Sequence, residues 1–185
     1  MLSYIFWHWP KEGVVRSAYE SDLADFHRAL SKVKPEGFQH SVVFRVRGAS
    51  WLPQGSPAYE DWYLLEGSCA LDALNTAAVT GDCQEPHDRV ARVAAGGTAG
   101  LYRLRAGEPQ VAGARFASWF AKPAGVHYAD FYAQLRPWSE RAGVSLWGRQ
   151  MTLGPTAEFC LCSPQQLELP ANLGALSRRL ECLWP

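Results

Sequence analysis

An excess of charge of either sign is absent from this chain. Its 18 Lys and Arg residues balance 18 Asp and Glu residues, for a formal net charge of zero over 185 residues. That balance excludes the basic footprint of a nucleic-acid surface and electrostatic docking on an anionic membrane. Long apolar runs are missing as well: no stretch approaches the roughly 20 apolar residues of a membrane helix. The N-terminus is aromatic, short and closed by Pro10, and it lacks the basic start of a signal peptide. Five cysteines are too few, and odd in number, for a disulfide scaffold, so a reduced, cytoplasmic setting is expected. What remains is 48% hydrophobic and 19% charged, which is too apolar for disorder and ample for a packed core.

Self-similarity organises that core. At a constant offset, Trp7 matches Trp119, Gly13 matches Gly125 and Val14 matches Val126. Tyr19, Leu23, Phe26 and Leu30 then match Phe131, Leu135, Trp138 and Ala142, at the spacing of an amphipathic helix. The shared unit reads as strand, glycine-containing loop, helix. In the first copy, Ser3–Trp9 is a strand. Ser17 and Glu20 form a capping box ahead of an apolar stripe at 19, 23, 26, 30 and 33. His40–Arg47 and Tyr59–Glu66 are strands joined through Pro53, Gly55 and Pro57. Ser68 caps a helix through Val79, another helix starts near Pro86, and Leu101–Arg105 returns as a strand. This order, β-α-β-β-α-β, is the ferredoxin-like unit.

The second copy is abbreviated. Arg115–Ala121 reads as a strand and Val126–Leu135 as a helix that Pro137 kinks or ends. Val144–Met151 and Glu158–Cys162 are a strand pair. The tail from Arg179 to Trp184 alternates as a closing strand, with a short helix over Leu173–Cys182 as the alternative. The expected organisation is a first ferredoxin-like repeat over residues 1–106, a linker over 107–113 and a shortened repeat over 114–185.

A four-stranded sheet with helices on one face leaves the other face bare, and two such sheets bury those faces against each other at about 25 cal/mol per Å². On its element order and internal repeat, the chain resembles the dimeric α/β-barrel superfamily in its fused, two-repeat form. The fold class this implies is α+β: two βαββαβ repeats with antiparallel sheets packed within one chain, the second with a shortened helix. That superfamily includes antibiotic-biosynthesis-type monooxygenases, muconolactone-isomerase-like proteins and haem-using chlorite dismutase relatives. The resemblance rests on architecture and carries no catalytic motif, so it says little about reaction.

Alternation in the first hairpin suggests which residues meet a ligand. Phe44, Val46, Trp62 and Leu64 suit the helix-packed face, which sends Arg45, Asp61 and Tyr63 into the barrel. Repeat alignment sets Arg149 opposite Arg45 and Glu158 opposite Asp61. Each Arg–carboxylate pair reads as an anchor for a polar or anionic ligand, or as a structural ion pair. His8 stands between Trp7 and Trp9 where the second copy has Phe120, as a general base, a haem ligand or a satisfied core histidine. His27 reads as solvent-facing. Gly96–Gly100 reads as a helix cap rather than a phosphate loop. Cys160 and Cys162, on one strand face, read as core rather than metal ligands.

Three functions follow. One is a barrel that binds or transforms a small aromatic molecule, with Trp7 and Trp62 as apolar walls, Tyr59, Arg45 and Arg149 as polar contacts, and His8 and Asp61 as the catalytic pair. For it the resemblance implies cofactor-independent oxygenation or isomerisation. The others are a fully packed structural or interaction module and a haem-binding barrel. The chain reads as a monomer or homodimer with no metal.

Overall fold

Strand-forming and helix-forming segments alternate as the repeat requires. The computed structural model describes residues 1–53, 57–151 and 156–185. Its first half contains β1 (Leu2–Pro10), α1 (Arg16–Val33), β2 (Phe38–Val46), β3 (Ala58–Leu65), α2 (Ala70–Ala78), α3 (Gly81–Val93) and β4 (Ala94–Gly107). There follow β5 (Phe116–Phe120), α4 (Tyr128–Ser139), β6 (Ser145–Met151), β7 (Phe159–Ser163), a 3-10 turn (Ala171–Leu173), β8 (Leu176–Arg179) and β9 (Glu181–Trp184). The second copy thus keeps a single α-helix among its described residues.

All pairings are antiparallel, in the order β8-β5-β7-β6-β4-β1-β3-β2-β9. Within β4-β1-β3-β2 the last strand lies beside the first, then the third, then the second. The group β8-β5-β7-β6 repeats this arrangement. The long β4 reaches past β1 to pair with β6, for example Leu104 with Trp147. At the other seam β9 pairs with β2, Phe44 opposite Cys182. Only Leu180 separates β8 from β9, and its N–H donates to Arg115 O at 2.8 Å. The two therefore act as one interrupted strand, and the sheet curls into a nearly closed barrel.

Aromatic side chains from both copies fill the barrel. Trp7, Phe44, Trp62, Tyr102, Trp119 and Trp147 are buried in one cluster. Trp7 meets Trp119, and Trp62 meets Trp147, edge to face at 5.4 Å between ring centroids, a favoured geometry for aromatic pairs. Outside the barrel, α1 and α2 cover the first sheet through Phe26, Leu30 and Leu74, and α4 covers the second through Phe131 and Leu135.

The face assignment drawn from alternation is inverted. Phe44, Val46, Trp62 and Leu64 point into the barrel, whereas Asp61 and Tyr63 lie against α1 on the helix side. Both sheet faces are covered, so both accept apolar residues, and alternation groups residues by face without saying which face is inside. Smaller corrections concern caps. Val15 caps α1 with extended backbone and no side-chain bond. Glu20 instead accepts from Arg45 and from the Tyr59 hydroxyl. Helix α3 begins at Gly81 and runs through Pro86, and α4 continues to Ser139 past Pro137. Gly96–Gly100 belongs to β4, not to a cap. The tail is the closing strand, begun earlier than expected at Leu176; helix there is limited to the 3-10 turn.

Candidate functional site

On the helix side of the first sheet, β1 presents Tyr4, Phe6 and His8, and their ladder partners on β3 are Tyr63, Asp61 and Tyr59. Helix α1 lays Tyr19, Leu23, Phe26 and His27 over them. Between this surface and α1–α3 lies a cavity of about 610 Å³. Its wall is mostly apolar, with Phe6, Leu23, Phe26, Leu74 and Val90 contributing, and no Lys or Arg lines it. The Phe6 ring can approach β4 closely because position 97 is glycine; a Cβ there would sit 2.5 Å from its ring.

One carboxylate oxygen gathers the polar groups of the cavity floor. Asp61 Oδ2 lies 3.2 Å from His8 Nε2, 3.2 Å from His27 Nε2 and 3.1 Å from the Tyr63 hydroxyl, which donates to it. The His27 contact is an aligned hydrogen bond, whereas His8 Nε2 approaches closely without that alignment. The outer ring nitrogens are also engaged: His8 Nδ1 is 2.6 Å from the Tyr19 hydroxyl and His27 Nδ1 is 2.7 Å from Ser41 Oγ. With His27 protonated on Nε2, its ring donates to Asp61 and Ser41 donates to its Nδ1; the same tautomer of His8 lets Tyr19 donate to its Nδ1. Asp61 Oδ1 is buried with no hydrogen-bond partner.

The electrostatics follow from burial and charge. Burial alone would raise the Asp61 carboxyl, but His8 and His27 outweigh it and hold it well below the usual carboxylate range. Burial, and then the charge of Asp61, push the Tyr19 and Tyr63 hydroxyls upward, so both stay protonated. The arrangement is a buried anion stabilising an imidazole that is hydrogen-bonded to a cavity-lining tyrosine. Chemically, such a set can accept a proton through Tyr19 and hold it on His8 beside Asp61.

The second copy lacks every part of this. By offset and ladder register, Phe120 replaces His8, Phe131 replaces Tyr19, Ser139 replaces His27, Leu161 replaces Asp61 and Phe159 replaces Tyr59. Phe120, Phe131 and Phe159 pack together there. The register corrects the earlier alignment of Asp61 with Glu158. One copy carries polar chemistry where the other carries an apolar core.

The residues singled out from the sequence separate into two groups. His8 and Asp61 share the cavity, and Tyr59 stacks on the His8 ring at 5.5 Å. Trp7 and Trp62 do not reach the cavity: they point into the barrel, fully buried, and donate their indole N–H groups to the two oxygens of Glu60 at 2.8 and 2.6 Å. Arg45 pairs with Glu20 and Glu181 rather than Asp61. Arg149 bonds to Thr156 O and lines a small pocket with Glu158, outside the barrel interior. His27 is buried, not solvent-facing. Its place is visible in retrospect, since 19, 23 and 27 form an i, i+4, i+8 row. Cys160 and Cys162 are barrel core, their sulfurs 3.8 Å apart. Among the described residues no group of His, Cys, Asp and Glu has the arrangement of a metal site.

No protein-family model and no curated protein matches the chain. Solved structures do. A candidate monooxygenase from Fusobacterium nucleatum subsp. nucleatum aligns over 98% of this chain and 92% of its own, with TM-score 0.60 at 10% identity. A candidate monooxygenase from Lactobacillus acidophilus aligns over 98% and 94%, with TM-score 0.58 at 10% identity. This chain has the dimeric α/β-barrel fold. An anthrone oxidase-like protein shares that fold over 98% and 90%, with TM-score 0.53 at 9% identity. Within the dimeric α/β barrel, the helix-side cavity of the first copy is where a buried carboxylate meets two buried histidines. No helix among the described residues is long and apolar enough to cross a membrane.

Proposed function

We propose that the chain binds a small, uncharged aromatic molecule in the helix-side cavity and removes a proton from it. The observation that carries this reading is Asp61: a buried carboxylate in an apolar cavity, with one oxygen hydrogen-bonded by His27 and Tyr63 and approached by His8 at 3.2 Å, and the other without a partner. A ligand hydroxyl or N–H facing Oδ1 would satisfy the remaining acceptor, which is costly to leave unmade. The lining carries no Lys or Arg to pair an anionic ligand, and its apolar rings suit a flat hydrophobic body. Tyr19 takes the ligand proton as it passes its own to His8 Nδ1, and Asp61 stabilises the resulting imidazolium. The deprotonated molecule then isomerises or reacts with O2 without a cofactor. The names of the structural neighbours, monooxygenase and anthrone oxidase-like, agree with this chemistry.

A thermal-shift screen of phenols, quinones and anthrones tests binding, with turnover followed optically. At least one member raises the melting temperature. His8→Phe, which copies the residue at position 120, leaves the fold intact and lowers turnover about a hundredfold or more, the usual scale of general-base catalysis. No shift from any compound, or unchanged turnover in His8→Phe, removes the proposal.

Haem fits these residues poorly. His27 has both ring nitrogens hydrogen-bonded, while His8 Nδ1 meets the Tyr19 hydroxyl at 2.6 Å and its Nε2, without an aligned hydrogen bond, faces the Asp61 carboxylate at 3.2 Å, so axial ligation would have to displace one of these groups. A packed structural module remains the second reading, favoured by the indole-filled barrel interior. The buried, reduced thiols Cys83, Cys160 and Cys162 suit a cytoplasmic setting, and the fused barrel suits a monomer.

A further inference from the structure

A second cavity, a groove of about 860 Å³, opens at the seam where β9 meets β2. Arg45, Arg47, Arg115 and Arg179 line it, and Glu181 is the one carboxylate among its lining residues. These guanidiniums come from distant segments: β2, the residue following it, the residue before β5, and the end of β8. Only closure of the barrel assembles them. Backbone bonds fix the middle of the set, with Arg115 N–H donating to Ser163 O at 2.9 Å and Arg115 O accepting from Leu180 N–H at 2.8 Å.

Their pairing is uneven. Arg45 is held by Glu20 and Glu181. Arg47, Arg115 and Arg179 are exposed, and among the described residues none has an ion pair or side-chain hydrogen bond. Residues 54–56 and 152–155 contain no carboxylate to complete them. Four guanidiniums thus share the groove with one carboxylate, Glu181, on which both Arg45 and Arg179 act, in a protein whose net charge is zero. The local excess is therefore a property of the seam rather than of the composition.

We propose that this groove is a binding site for a small, multiply charged phosphate-type anion. Guanidinium forks match phosphate oxygens in pairs, and several forks favour an anion with more than one charge. The other walls are Ala112, Gly113, Ala114, Leu180 and Cys182, with no aromatic ring on which a nucleobase would stack. Pyrophosphate is the simplest probe. The site is independent of His8 and Asp61, so its fate does not follow that of the helix-side cavity.

Isothermal titration with pyrophosphate, orthophosphate and a nucleoside diphosphate at constant ionic strength decides the question. Pyrophosphate binds at one site and orthophosphate binds more weakly. Equal affinity for the nucleoside diphosphate assigns the free anion as the ligand, and tighter binding assigns a larger phosphate-bearing metabolite; both support the site. Arg115→Ala and Arg179→Ala each weaken pyrophosphate about tenfold or more, and Arg115→Lys falls between them and the parent. Arg136→Ala, an exposed change on α4, and His8→Phe leave binding unchanged. Near-UV circular dichroism checks that each variant is folded. Absence of pyrophosphate binding overturns the proposal, as does equal loss in Arg136→Ala. Single-stranded oligonucleotide displacing pyrophosphate with higher affinity overturns it in favour of a nucleic-acid surface.

Discussion

Two adjacent acids on β3 show how strongly the side of a sheet determines chemistry. Asp61 faces α1 and meets two histidines, whereas Glu60 faces the barrel and meets two indoles. Folding lowers Asp61 below its ordinary 3.8, so its stabilisation is present above about pH 4 and is lost as pH falls through the lowered value. Burial raises Glu60 from 4.5 to about 7, against the indole hydrogen bonds that favour its charged form. The folded chain then holds a proton that the unfolded chain releases, and stability falls as pH rises between 4.5 and 7. Urea unfolding across that window should show a slope approaching about 1.4 kcal/mol per pH unit, removed in Glu60→Gln. Asp61→Ala, which leaves His27 and Tyr63 without an acceptor, should cost about 3 kcal/mol or more; a loss under about 1 kcal/mol would show that the cluster is solvated. Of these residues, His8 stood out in the sequence because its repeat partner is a phenylalanine. Strand parity grouped Asp61 with Tyr63 but sent both to the barrel side, whereas they face the helices. His27 was hidden, since a histidine beside an apolar stripe reads equally as surface.

At the scale of elements, the cavity depends on how closely β4 can approach β1. Gly97 lies opposite His8 in the ladder, and a methyl group there would meet the Phe6 ring at 2.5 Å and Trp7 O at 2.9 Å. Gly97→Ala should therefore destabilise by about 1–3 kcal/mol, the scale of overpacking, and drive Phe6 toward the cavity. Chemical denaturation measures the first effect and ligand affinity the second. An unchanged midpoint would show that β4 relaxes freely. The strands and α1 were readable from period and spacing. Helix starts were not, because the expected caps Ser17 and Ser68 make no capping bond, and Glu20 is drawn to Arg45 and Tyr59 by tertiary contact.

For the whole molecule, closure depends on four residues at the C-terminus. Strand β9 supplies the partner of β2, and its Trp184 ring lies beneath the Arg28 guanidinium at 5.6 Å. Removing residues 181–185 should leave β2 as a bare edge over an aromatic core, raise dye binding by exposed apolar surface and promote association. A truncated chain that stays monomeric, with an unchanged unfolding midpoint, would show that the seam contributes nothing. The sequence by itself determined the repeat, the strand and helix periods, and which side chains share a face, because these depend only on residue order. Which face became the interior was decided by the tertiary structure alone. Edge pairing of β4 with β6 and of β9 with β2 turns one face inward, and the helices cover the other. With apolar surface required on both sides, alternation carries parity but no direction, so the cavity and the arginine groove exist only once the sheet has closed.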